Sequence, residues 1–128
     1  MLDHIGIGIS DFARARAFYD KALSPLGIGL VMEVTAEQTG DHPAAGFGSQ
    51  GKPYFWFGLG EDVARAHIAF VAKDRASVVA FYNAALAAGG MDNGAPGLRP
   101  HYHANYYAAF VIGPDGHNIE VVCQRAEG

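Results

Sequence analysis

Three side chains with metal-binding chemistry sit in apolar, strand-like runs of this chain. His4 opens the run His4-Ile-Gly-Ile-Gly-Ile9, His67 opens His67-Ile-Ala-Phe70, and Glu120 interrupts Asn118-Ile-Glu-Val-Val-Cys123. A carboxylate in such a strand is costly to bury without a partner. Two imidazoles and one carboxylate that converge can hold a divalent ion and still leave positions open for water, oxygen or a chelating substrate. His4, His67 and Glu120 are therefore the candidate metal ligands, and iron, manganese, nickel or zinc would all suit them. A single strand histidine is more often a hydrogen-bonded core residue. The case for ligation rests on there being two at equivalent places.

A second group lies in Gly94-Ala-Pro-Gly-Leu-Arg-Pro-His-Tyr-His-Ala-Asn105, a turn-rich segment that holds Arg99, His101, Tyr102, His103 and Asn105. Loops dense in polar and aromatic groups commonly serve recognition. His101 or His103 is placed to transfer a proton near neutral pH, the two facing the same way if the chain is extended there. Arg99 is placed to hold a substrate carboxylate or phosphate through two contacts. A solvated loop with incidental histidines is the competing reading. Tyr106 and Tyr107 can supply one cavity hydroxyl between them, since strand alternation turns only one inward.

The equivalence of the two histidines comes from an internal repeat. Shifting the sequence by 63 lays His4–Gly27 over His67–Gly90, and ten of the 24 positions are identical, including His4/His67, Asp11/Asp74, Phe18/Phe81 and Tyr19/Tyr82. Chance would give about one or two, so the chain reads as a duplicated supersecondary unit. In each copy an alternating strand leads to an aspartate suited to cap a helix, then to an apolar stripe at helical spacing that a glycine closes. Strand-like stretches follow at Ile28–Val34, Ala44–Ser49 and Tyr54–Leu59. In the second copy come an ill-defined segment near Met91, Tyr106–Ile112 and His117–Cys123. Pro114-Asp115-Gly116 marks the last pair as a hairpin. The expected fold is α+β, two βαβββ modules at 1–62 and 63–128, with the helix on one face of each sheet and the other face lining a cavity.

Alternation then assigns faces. Ile5, Ile7 and Ile9 should meet the helix, and His4 and His67 the cavity. Phe55, Phe57 and Leu59 read as an apolar cavity wall, with Trp56 and Cys123 on the helix side. His42 and His117 read as loop and turn residues, and Arg14, Arg16, Arg65 and Arg75 as solvated surface.

Composition narrows the partners. One hundred and twenty-eight residues suit one domain, and 17 glycines favour turns over long helices. Nine Lys plus Arg against 13 Asp plus Glu give a net charge of −4, which argues against nucleic acid. No apolar run approaches the ~20 residues of a membrane span. The start lacks the pattern of a secretory signal, and the lone Cys123 excludes an intrachain disulfide or a CxxC motif. A soluble, cytoplasmic protein is expected.

His4-Ile-Gly-Ile, Phe18-Tyr-Asp-Lys-Ala-Leu23, His67-Ile-Ala-Phe and Pro114-Asp-Gly-His-Asn-Ile-Glu120 together resemble the vicinal-oxygen-chelate superfamily. That group includes glyoxalase I, fosfomycin-resistance thiol transferases, bleomycin-binding proteins and extradiol dioxygenases. The resemblance spans nearly the whole chain. It implies a cup-shaped mixed sheet with helices outside, and a divalent metal bound by residues matching His4, His67 and Glu120. It also implies a small substrate chelated through adjacent oxygens, by a lyase, isomerase, thiol transferase or dioxygenase. The shift of 63 puts Phe57 where glyoxalase I carries a fourth ligand. Phe110 stands where the dioxygenase and thiol-transferase patterns place a tyrosine, ten residues before the final glutamate. The alternative is a metal-independent binding protein of the bleomycin-resistance type. Modules in this superfamily pair within a chain or across a dimer, and exposed strand edges favour a homodimer.

Overall fold

A computed structural model describes residues 2–40, 42–60 and 64–126. The first module runs β1 (Ile5–Ile9), α1 (Phe12–Leu23), β2 (Gly29–Val34), a short α2 (Ala36–Thr39), β3 (Ala44–Ser49) and β4 (Lys52–Leu59). The second runs β5 (His67–Val71), α3 (Arg75–Ala87), β6 (Met91–Leu98), β7 (Tyr107–Ile112) and β8 (Asn118–Cys123). Each builds one four-stranded sheet, ordered β1-β4-β3-β2 and β5-β8-β7-β6. The first strand of each module lies parallel to the last, and the other neighbours are antiparallel. The expected module boundary at 62/63 falls outside the described residues. No helix among the described residues is long and apolar enough to cross a membrane.

The repeated aspartates do what their spacing predicts. Asp11 accepts from the Arg14 N–H, and Asp74 accepts from both the N–H and the hydroxyl of Ser77. Each satisfies donors that a helix start leaves free. Gly27 closes the first helical segment at φ +76, a conformation that strains any residue with a Cβ. The ill-defined segment near Met91 is a full strand, β6, interrupted by two register shifts and holding Pro96. Those bulges break the alternation that marks a strand in sequence.

Two face assignments are corrected. Phe55 and Phe57 are fully buried beneath α1, with ring centroids 5.0 and 5.2 Å from Tyr19. Leu59 packs against the same core. Phe57 and Leu59 are therefore core rather than cavity wall, while Phe55 also borders a groove beside Ile5 and Ile28. Trp56 lies on the opposite, open face, where its indole covers Gly46 so closely that a Cβ there would meet the ring at 2.8 Å. The reason is register. Ile5 pairs with Phe55 and Ile68 with Ile119, so Phe55 matches Ile119 and Trp56 matches Glu120. The repeat is offset by 63 through the helices and by 64 at the last strands, so Trp56, not Phe57, is the counterpart of Glu120. Cys123 is buried with Ile119 and Val121, as expected.

The modules meet through their helix-bearing sides. Helices α1 and α3 pack on each other. Phe18 lies against Gly90 and Gly113 of the second module, and Phe55 meets Phe70 edge-on at 5.3 Å. A clasp reinforces the seam. Buried His117 accepts from the Ala66 N–H through Nδ1, so its Nε2 carries the proton and donates to Gly8 O at 2.8 Å. Ser10 donates to Asp115 from both its N–H and its hydroxyl.

Candidate metal centre

The open face of the second sheet carries His67, Ala69 and Val71 from β5, Asn118 and Glu120 from β8, and Phe110 from β7, which pairs directly with Glu120. Glu120 is 3% exposed, and its cost of burial is met by two partners. One is His67, whose Nε2 lies 2.9 Å from Oε1; a carboxylate can only accept, so Nε2 carries the proton in this pair. The other is Tyr106, whose hydroxyl donates to Oε2. Burial first, and then the bond to Glu120, push the Tyr106 hydroxyl up to about 12, so it remains a donor at neutral pH. Tyr106 is thus the inward-facing tyrosine, while Tyr107 packs on the core under the Arg75 guanidinium.

The chain assembles two of the three expected ligands. His4 lies on the open face of the other sheet, where its Nδ1 is 2.8 Å from Asp3 Oδ1. Lys52 donates to the second Asp3 oxygen at 2.7 Å. The Lys52 bond, then that of His4, hold the Asp3 carboxyl below the usual range, so it stays anionic and fixes the proton of His4 on Nδ1. Nε2 is then the ring nitrogen directed away from Asp3, the arrangement a carboxylate imposes on a ligating histidine. Among the described residues no three His, Cys, Asp or Glu side chains are grouped to hold an ion. His4 and His67 do border one apolar groove of about 480 Å³ between β1 and β5, with Tyr54 on one side and Val71 on the other.

The spacing of the His67–Glu120 pair suits a hydrogen bond, and it would equally suit two donors on one ion once His67 Nε2 has lost its proton. Two donors each about 2.1 Å from a common ion, at near right angles, stand about 3 Å apart, and His67 Nε2 and Glu120 Oε1 stand at 2.9 Å.

Arg99 and His103 of the loop are bonded to backbone groups. The Arg99 guanidinium donates to the carbonyls of Gly97, Ala108 and Ala95 at 2.7, 3.2 and 2.9 Å and lies over the Phe110 ring. It braces the bulged strand β6, and a substrate anion would have to compete with those bonds. Residues 101–105 form turns rather than extended chain, with Tyr102 and His103 N–H groups both donating to Arg99 O. His103 Nδ1 accepts from the Asn105 N–H. His101 lies on Tyr102, which in turn meets Tyr106 edge-on at 5.1 Å, so the loop forms an aromatic rim beside Glu120. The Tyr106–Glu120 bond was the feature least visible in the sequence, where only the pairing of two tyrosines pointed to it.

The glyoxalase/bleomycin resistance protein/dioxygenase superfamily model matches residues 1–121. No curated protein matches the chain. Among solved structures, a glyoxalase/bleomycin resistance protein from Albidiferax ferrireducens T118 is 25% identical, with a TM-score of 0.76 over 95% of this chain and 97% of that one. Glyoxalase I from Zea mays is 19% identical at a TM-score of 0.74, matched over 98% of this chain and 45% of its own. A mutant fosfomycin resistance protein from Listeria monocytogenes, complexed with Mn(II) and 1S,2S-dihydroxypropylphosphonic acid, is 16% identical at a TM-score of 0.67, over 100% of this chain and 90% of that one.

Proposed function

The chain belongs to the glyoxalase/bleomycin resistance protein/dioxygenase superfamily, and from that premise we propose that it is a divalent-metal-dependent enzyme acting on a small substrate chelated through neighbouring oxygens. The observation that carries this reading is the His67 Nε2–Glu120 Oε1 approach at 2.9 Å on an open sheet face. The modules meet through their helices, and among the described residues no third His, Cys, Asp or Glu of the same chain joins that pair. The third donor is His4 of the partner subunit, brought in when the open face of one module closes on that of another. A homodimer then holds two sites, and the cup with helices outside forms between chains.

A bound ion supplies Lewis-acid stabilisation of the substrate's oxygens. The protein's part is to hold that substrate against the aromatic rim of Tyr102, Tyr106 and Phe110 and to exclude water by burying Glu120. His101, at the mouth of the rim, is the loop histidine that moves a proton. A fosfomycin resistance protein of the same fold was crystallised with Mn(II), which is in keeping with this reading.

Metal content per chain, measured on protein purified without chelator or metal-affinity tag, tests the reading. About one equivalent is expected, lost in His67→Ala and in Glu120→Gln. A metal-free wild-type protein that takes up a planar ligand stoichiometrically would support instead a binding protein using the groove between β1 and β5.

A further inference from the structure

The hydroxyl nearest Glu120 comes from outside the strand that faces it. On β7, the residue paired with Glu120 is Phe110, which has nothing to donate. Tyr106, one residue before that strand begins, reaches over and donates to Oε2. Its backbone is fixed on both sides: its N–H donates to His103 O, and its carbonyl accepts from the Arg99 N–H at 2.7 Å. Tyr102 packs against its ring. The carboxylate thus has one oxygen engaged by the phenol and the other directed at His67.

We propose that Tyr106 is the positioning residue of the metal centre, holding Glu120 through Oε2 so that Oε1 is presented beside His67 Nε2. This rests on the reading of His67 and Glu120 as metal donors. Without the phenol, Glu120 can turn about its terminal bond and its free oxygen needs another partner in a buried site, so the donor is no longer pre-set. Hydrogen bonds from beyond the ligands orient them and typically change metal affinity by about 10–100-fold. Tyr102 then acts on the metal donors only through its packing against the Tyr106 ring.

The test is Co(II) titration of the purified full chain, followed by its visible absorption, with Tyr106→Phe, Tyr102→Ala and Glu120→Gln compared with wild type. Far-UV circular dichroism confirms that each is folded. Tyr106→Phe is expected to weaken Co(II) about tenfold or more and to alter the absorption band, while Tyr102→Ala keeps affinity within about threefold and Glu120→Gln binds least. Equal affinity and an unchanged band in Tyr106→Phe would overturn the inference alone. A loss in Tyr102→Ala matching that of Tyr106→Phe would also overturn it, since loop packing would then account for the effect. A wild-type protein that takes up no Co(II) would overturn the proposed function as well.

Discussion

At the residue scale, neighbouring side chains on β4 have opposite fates, and their register explains why. Phe57 is fully buried between α1 and the first sheet, whereas Trp56 lies half-buried on the open face over Gly46. Phe57→Ala should therefore destabilise the protein by about 3–5 kcal/mol. Trp56→Ala, which removes a ring still touched by water, should cost about 1–2 kcal/mol. Chemical denaturation of the two variants checks the order, and a larger loss at Trp56 would contradict the register. The sequence showed the alternation of β4 but not its phase. The repeat offset of the helices falls one residue out of step at β4. His67 and Glu120 were legible because each lies in a short, regular strand tied directly to the duplication. Tyr106 was not, because its reach depends on the turns at 101–105, which no periodicity marks. Arg99 reads as an anion holder by type, yet its environment is three backbone carbonyls.

At the scale of elements, the helices were the most legible part, because capping aspartates and apolar stripes are local signals. The Asp74 cap also makes a pH prediction. The Ser77 hydroxyl, then the Ser77 backbone N–H, hold the Asp74 carboxyl below the ordinary value of 3.8. A carboxyl whose folded pKa is depressed contributes stability above its unfolded pKa and loses that contribution as pH falls through the folded value. Asp74→Asn keeps an acceptor at the cap but removes the charge. Thermal melts should show wild type more stable than Asp74→Asn at pH 7, with the gap closing as pH drops below about 4. A gap that stays constant down to pH 2.5 would show that the cap's charge adds nothing. Strand β6 was the least legible element. Its bulges and Pro96 conceal the alternation, and its identity as a strand is set by pairing with β7 and by the Arg99 brace.

For the whole molecule, the duplication predicted two βαβββ modules and left open how they meet. Packing decides that within a chain. Phe18, Phe55 and Phe70 join the helix-bearing sides into one core, and His117 and Asp115 pin the β7–β8 turn to the end of β1. None of these contacts is visible in the repeat, because each joins non-equivalent positions of the two copies. They leave Val71, at 81% exposure, and Met32, at 48%, on the open faces.

Mixed dimers give the most direct test of a metal centre shared between subunits. His4→Ala and Glu120→Gln chains are each expected to hold no ion alone. Unfolded together and refolded, half of the dimers should pair one chain of each kind. Such a dimer has one site with both defects and one site with none, so metal should return to about one ion per mixed dimer. If each site were built from a single chain, every site in the mixture would keep a defect. No recovery of metal on mixing, from variants that fold and dimerise normally, would contradict the account.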